Sequence, residues 1–383
     1  MLSFWEKTAL IQKEFMVIGA GITGLLTAIE LSNKFPKKNI CILERGILPI
    51  GATTRNAGFA CFGSLSELYY DFLKEGDTKV LDLVENRYKG LQKLLQITGK
   101  KAIQYEHLGG YDVIDDKHLH TFEHIEEINQ KLFPLFKKQV FHANDENIKK
   151  LGFNPKIVKH LVYNSFEGQI HSGFLWSRLK SLALKKGIEL ITGANVTKIE
   201  RNGDFERVII EEEKYRNPLI FQAKHVIVTN NAFASQLLPS LNVQPGRGQV
   251  LVTEAIANLA WKGCFHYDAG FIYFRNIGKQ ILLGGARNQF LNYENTYSMD
   301  TSQEVLDYLK HFLKQVILNG KEVKIMDTWA GTMGFGETKL PIIQSLRPQL
   351  HVAVKFSGMG VALASNAAEK VVELIQQNSI HDV

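Results

Sequence analysis

The sequence predicts an α/β chain, α+β overall, in which one domain is assembled from discontinuous segments and a β-rich domain is interleaved with it. Three observations predict this. Residues 15–20 (FMVIGA) form a short apolar run ending in glycine, and residues 39–44 (NICILE) form a second such run. Between them Leu25, Leu26, Ile29 and Leu31 recur on one side of a helix, so about 30 residues hold a strand, a glycine turn, a helix and a strand, one βαβ unit. Near the other end, residues 352–356 read as a strand that leads through a glycine turn into a helix over 360–376. Between the two ends, residues 246–286 hold only short β runs, at 249–253, 270–275 and 280–284. The α/β segments 1–98, 156–232 and 326–383 are assigned to the first domain, and 99–155 and 233–325 to the second.

The remaining elements follow from periodicity. Val80, Leu83, Val84, Tyr88, Leu91, Leu94 and Leu95 recur at three and four, which predicts an amphipathic helix over 77–98. Residues 100–155 mix short strands with charged helix and carry no readable motif. A helix is expected over 172–186, a strand over 189–192, a hairpin from 196–200 and 207–212, a third buried strand over 225–229 (HVIVT), and a helix over 303–318. No internal repeat or low-complexity linker is present.

Composition narrows the function. Of 383 residues, 45% are hydrophobic and 22% charged, which is ordinary globular composition. The net charge of +6 is spread along the chain, and its densest basic groups are pairs such as Lys137-Lys138, not the basic stripe of a nucleic-acid protein. Cys41, Cys61 and Cys264 are far apart and form no CxxC, so neither a zinc site nor a thioredoxin-like motif is expected. Their low, odd number fits a reducing compartment. No signal-peptide pattern opens the chain, and the apolar runs fall short of the roughly 18–20 residues a membrane span needs. A soluble, cytoplasmic chain without a membrane or nucleic-acid partner is expected.

Gly19-Ala20-Gly21-Ile22-Thr23-Gly24 is G-x-G-x-x-G in the setting a dinucleotide requires. It follows a strand, opens a helix, and has Glu44 twenty positions beyond Gly24. The first glycine permits the turn, the second lets a pyrophosphate approach the backbone, and the third lets the helix pack on the strand. The helix N-terminus from Ile22 and Thr23 offers free N–H groups and a positive dipole to the pyrophosphate. Glu44 is placed to bond the ribose hydroxyls. This makes a Rossmann-type domain. The motif alone does not separate FAD from NAD. The stretch 51–59 (GATTRNAGF), with small residues, hydroxyls and glycines where an NAD domain goes straight into another helix, favours FAD.

With these segments, the sequence resembles the D-amino-acid oxidase superfamily of FAD enzymes, and within it the glycine oxidase, sarcosine oxidase and glutamylputrescine oxidase branch. Further stretches carry the resemblance: 168–186 with 189–200, 226–232 (VIVTNNA), 245–249 (PGRGQ), 270–287, Trp329-Ala330-Gly331, and 356–364 (FSGMGVALA). It spans most of the chain except about 66–160 and 288–325. It implies FAD on the Rossmann domain beneath a β-sheet substrate domain. By resemblance, Gly19, Gly21, Gly24, Glu44 and Arg45 hold the adenosine and pyrophosphate. Thr53, Thr54, Arg55, Asn56 and Gly58 lie along the pyrophosphate, ribityl chain and ring. Val196 meets the adenine side, Thr229 and Asn230 pass near the phosphates, and Gly331, Gly358, Met359, Gly360 and Val361 belong to the flavin site. The turn at 358–360 also precedes a helix, whose free N–H groups and dipole suit the negative charge of reduced flavin.

The sequence departs from the family at two points. The family carries an arginine two residues after the W-A-G glycine to grip a substrate carboxylate; here Met333 stands there. Sarcosine oxidases tether the flavin through a cysteine in this region, and no cysteine follows Cys264, so noncovalent FAD is expected. Arg287, which ends Gly284-Gly285-Ala286-Arg287, is the candidate replacement clamp, because a guanidinium grips a carboxylate with a bidentate fork. Tyr267, Tyr273 and Arg275 lie in the same β region, and Cys61 reads as a small buried hydrophobe. The expected reaction is hydride transfer from the carbon beside an amine to the flavin, with dioxygen or another compound as final electron acceptor and no metal. No general base is evident. The alternatives are an NAD-dependent reductase, a flavin-binding protein without catalysis, and a tRNA-modifying flavin domain.

Overall fold

In the computed structural model, residues 3–211 and 217–380 are described. Two eight-stranded sheets organise them. In the first, Ile342–Arg347, Leu350–Val354, Leu219–Val228, Gln12–Ile18, Ile40–Glu44 and Glu189–Thr192 lie side by side in that order. All these neighbours are parallel except Ile342–Arg347, which pairs antiparallel with Leu350–Val354. The expected hairpin forms from Val196–Asn202 and Phe205–Ile210 and extends this sheet beside Leu219–Val228. Glu212, the last residue expected in it, lies outside the described residues.

The strands are apolar because both faces are covered. On one face Ile22–Lys34, Asp77–Thr98, Ser172–Lys185 and Gly360–Ile380 close a core containing Phe15, Val17, Leu25, Ile29, Leu91, Leu179 and Val371. Gly24 lets Ile22–Lys34 approach its sheet. A Cβ there would stand 1.9 Å from the Gly19 carbonyl oxygen, far inside contact distance.

The second sheet runs in the order Ile325–Phe335, Gln244–Thr253, Gln280–Gly285, Ile272–Ile277, Cys264–Tyr267, Gly110–Ile114, His160–Asn164 and Phe141–Ala143. Its pairings are antiparallel except Cys264–Tyr267 with Gly110–Ile114. Period-2 alternation gives it two distinct faces. Leu251, Phe265, Phe274 and Leu283 pack under Gln303–Phe312 and the π-helical turn Leu313–Ile317. Val250, Val252, Tyr273, Leu282 and Trp329 point the other way and cluster with Ala57 and Phe59. This second face therefore meets the segment expected to carry the flavin.

The sheets divide the chain at different residues from those expected. His160–Asn164 pairs with Gly110–Ile114, and Ile325–Phe335 pairs with Gln244–Thr253 over ten positions. Both strands thus join the second sheet, although the sequence reading placed 156–232 and all but the first residue of the latter strand in the first domain. Short strands declare their sheet through distant partners, which local periodicity does not reveal.

Candidate functional site

Between the Rossmann-type layer and the second sheet runs a continuous cleft of about 1090 Å³. Of the residues expected to hold the cofactor, Gly19, Gly21, Ile22, Thr23, Glu44, Arg45, Thr53, Arg55, Asn56, Gly58, Val196, Thr229, Asn230, Gly331, Gly358, Met359, Gly360 and Val361 line it. Arg287 lines it as well. Gly24 and Thr54 do not. Gly24 is buried at the helix–strand contact, and the Thr54 hydroxyl turns away to the Pro49 carbonyl.

The glycine turn is built as a cradle. The Ala20 N–H donates to Glu44 Oε2 at 2.9 Å, and the Gly46 N–H donates to Oε1 at 3.0 Å. Glu44 is thereby fixed at the end of its strand. The Ile22 N–H donates to Thr53 Oγ1 at 2.9 Å, which ties the helix N-terminus to the short helix Ala52–Arg55. The same hydroxyl, at 3.1 Å, is all that a Cβ on Gly21 would meet. Arg45 lies over the Phe233 ring, 4.0 Å from its centroid.

The segment 51–59 is locked against the second sheet. Arg55 Nη1 donates to the Ala330 carbonyl at 2.6 Å, and Trp329 Nε1 donates to the Arg55 carbonyl at 2.9 Å. Asn56 caps its own turn by accepting from the Gly58 N–H at 2.8 Å and from the Ser172 hydroxyl at 2.7 Å. Gly58 has φ +76°, and a Cβ there would stand 2.4 Å from the Ile170 carbonyl oxygen. Only glycine passes this point without strain.

These residues fit a flavin dinucleotide. The Asn230 side-chain oxygen is buried at the cleft without a partner, so a polar group is missing beside it. Also at the cleft, Gly358 (φ +84°) presents its backbone with only the Met333 sulfur nearby, 3.7 Å from where a Cβ would be. Gly360–Ile380 starts there, with its N-terminus at the cleft.

Met333 and Arg287 both line the cleft. Met333 pairs with Gly246 across two strands, and the missing Cβ of Gly246 leaves room for the Arg287 guanidine, with Nε 2.7 Å from its place. Arg287 stacks on Phe335 at 4.2 Å and donates from Nη2 to Asn295 Oδ1 at 2.6 Å, while its buried Nε has no partner. Tyr273 reaches the same place, with its hydroxyl 3.5 Å from the Cβ position of Gly248. Burial pushes Tyr273 up to about 12, so it is a neutral hydroxyl here.

Sequence reasoning missed a set of charged side chains at and behind the cleft lining. Lys339 binds Glu67 and Asp71, both at 2.8 Å, and buried Arg87 binds Glu67 at 3.2 Å. Burial opposes ionisation of Glu67, but Lys339 and Arg87 win and hold it down to about 2. His266 donates to Glu167 at 2.8 Å. Burial disfavours its charge, yet the Glu167 carboxylate keeps it up to about 9. His118 bridges Asp115 and Asp268 at 2.9 and 3.2 Å, and hydrogen bonds to them raise it to about 9. Cys61 lies beside Glu167 and His266, and burial pushes its thiol up. Apart from Asp115 with His118, these partners are distant in sequence and follow no motif spacing.

Comparison with known proteins gives the arrangement its family. The family model described as FAD dependent oxidoreductase (DAO) matches residues 14–374. Curated relatives include the probable oxidoreductase OrdL of Haemophilus influenzae, 23% identical over 94% of this chain and 82% of the relative. The namesake of Rhizobium meliloti is 24% identical with the same coverage. Similar solved folds include L-proline dehydrogenase from P. horikoshii (TM-score 0.76, 19% identity, 96% of this chain and 94% of that one). Another is glycine oxidase from Geobacillus kaustophilus (TM-score 0.76, 16% identity, 96% and 95%). A third, L-alpha-glycerophosphate oxidase from Mycoplasma pneumoniae with FAD bound, has TM-score 0.75, 16% identity, and 95% coverage of both chains. With its fingerprint, its flavin-suited cleft and a family match over nearly its whole length, this chain belongs to the DAO family of FAD-dependent oxidoreductases.

Proposed function

We propose that this oxidoreductase oxidises a C–N bond of a small amine or amino acid, with FAD held noncovalently by the cleft residues named above. The observation that carries the reading is the Arg287 guanidinium at the cleft, stacked on Phe335 two residues beyond Met333, where the family's arginine is lost. Relatives of the fold named for proline and glycine support an amine substrate, and glycerophosphate oxidase marks the competing C–O chemistry. Bound FAD supplies the hydride acceptor.

The chain's own residues do the rest. Arg287 and the Tyr273 hydroxyl orient the substrate, and Met333 and Phe335 give the site an apolar wall. Neither Tyr273, a neutral donor, nor His266, held as a cation, takes a proton at neutral pH. The substrate reacts as its neutral amine, and the product imine hydrolyses to a carbonyl compound and an amine or ammonia. Dioxygen or another electron acceptor completes the cycle. The three free, buried cysteines fit a reducing compartment, and we place the protein in the cytoplasm. Among the described residues, no helix is long and apolar enough to cross a membrane.

Two expected results test this reading. Acid precipitation should leave all flavin in the supernatant; yellow colour that stays with the denatured chain contradicts a noncovalent cofactor. Arg287→Ala should retain its flavin content and lose roughly 2–4 kcal/mol in kcat/KM for a carboxylate-bearing amine, the scale of removing one partner from a buried charge pair. An uncharged amine should be affected much less. Equal losses for both substrates would remove Arg287 from the clamp role.

A further inference from the structure

The cleft-facing side of the second sheet carries a buried charge that no partner balances. Arg275 shares this face with Tyr273 on Ile272–Ile277, and it is 8% exposed. Its Nε is buried without a hydrogen-bond partner, and no carboxylate among the described residues forms an ion pair with it. Glu106 acts on it only from beyond ion-pair distance and is itself bonded to Gln169. The neighbouring cation on this face, His266, differs because it has Glu167. Burial pushes the Arg275 guanidinium down from its ordinary value, but arginine starts so high that it stays charged.

An isolated buried charge is costly, so its place in the fold matters. The guanidinium lies directly behind Gly58. Nη2 and Cζ stand 3.0 and 3.2 Å from where a Cβ on Gly58 would be, and the other side of Gly58 lines the cleft. One thickness of backbone separates the charge from the flavin site. A hydride carries two electrons and one proton, so its acceptor gains one negative charge unless a further proton follows. A fixed cation in a dry wall is already oriented to favour that negative charge.

We propose that Arg275 sets the reduction potential of the flavin from behind Gly58, favouring the anionic reduced form without touching the substrate. This rests on the FAD reading of the cleft. It makes Arg275 a positioning charge for the cofactor's electrostatics, distinct from the Arg287 clamp.

The test is the midpoint potential of the purified flavoprotein, read by slow reduction with dithionite against a reference dye. Arg275→Gln should shift the equilibrium at least tenfold toward oxidised flavin, about 30 mV at 29.6 mV per tenfold for a two-electron couple. Arg275→Lys, which keeps the charge, should retain most of the wild-type potential. A Gln variant with the wild-type potential overturns the proposal, and so does a Lys variant that falls as far as Gln. If the Gln variant fails to fold, the wild-type protein still gives an answer. Its potential should fall by about 30 mV per pH unit already at pH 6, one proton per two electrons, and twice that slope overturns the proposal. A wild-type chain that neither carries nor takes up FAD fails earlier and differently, by removing the cofactor reading itself.

Discussion

Gly21→Val is expected to give a folded chain that holds no FAD. The Gly21 backbone is extended, with φ −71° and ψ −178°, a conformation open to any residue. A Cβ would meet only the Thr53 hydroxyl at 3.1 Å, a side chain that can give by a few tenths of an ångström. Nothing in the protein therefore demands glycine here. The demand comes from the ligand, because a valine side chain stands where a pyrophosphate must approach the helix N-terminus. Flavin content should fall below detection, while the unfolding free energy of the flavin-free chain changes by no more than about 1 kcal/mol. Gly24 provides the contrast. Valine there collides with the Gly19 carbonyl inside the fold, so Gly24→Val should lose structure and flavin together. A Gly21→Val protein with full flavin content would show that the pyrophosphate lies elsewhere.

Glu167→Gln, a change just behind the cleft-lining His266, should be strongly destabilising, and its effect should depend on pH. Glu167 is 1% exposed, and its carboxylate holds buried His266 up to about 9, against an ordinary value of 6.5. A group whose pKa is raised on folding adds stability that is fully present below its unfolded pKa and is lost as pH rises through its folded pKa. Wild type should therefore exceed the variant by about 3 kcal/mol at pH 6, the scale of breaking a buried ion pair. The gap should narrow steadily through pH 9, where His266 becomes neutral in both proteins. Urea unfolding at pH 6 and pH 9.5 reads the difference directly. A gap that is the same at both pH values would mean that His266 is already neutral in the native protein.

The sequence discloses the Rossmann-type half of this molecule more fully than the β-rich half, and the reason is physical. The helix Asp77–Thr98 has the bounds its apolar stripe predicts, with Gly76 and Gly99 at positive φ on either side to stop it. The βαβ unit is local, so its hydrophobic run, glycine turn and helix face are contiguous in the chain. The strand Gly110–Ile114, in contrast, lies between His160–Asn164 and Cys264–Tyr267, partners up to about 150 residues away. Five residues with no regular alternation carry no sign of such a neighbour. Trp329-Ala330-Gly331 is legible as a motif, yet the eleven-residue strand around it is not, because glycines and polar residues interrupt the β pattern on the face that meets the cleft.

The candidate site divides in the same way. The glycine turn and the 51–59 segment are contiguous motifs, and both line the cleft. The placing of Arg287 against Gly246 and Phe335, two residues from Met333, depends on strand register. The pairs Lys339 with Glu67 and His266 with Glu167 join segments 272 and 99 positions apart, and no spacing rule reaches that far.

The central claim is that FAD in this cleft takes a hydride from a carbon next to nitrogen. Anaerobic mixing of the purified flavoprotein with a panel of small amines and amino acids, alongside the matching alcohols and hydroxy acids, tests it most directly. At least one amine or amino acid should bleach the flavin absorbance fully, while its hydroxyl counterpart leaves the spectrum unchanged. Bleaching by the hydroxyl compounds alone, or by no amine in the panel while dithionite still reduces the flavin, would contradict this claim.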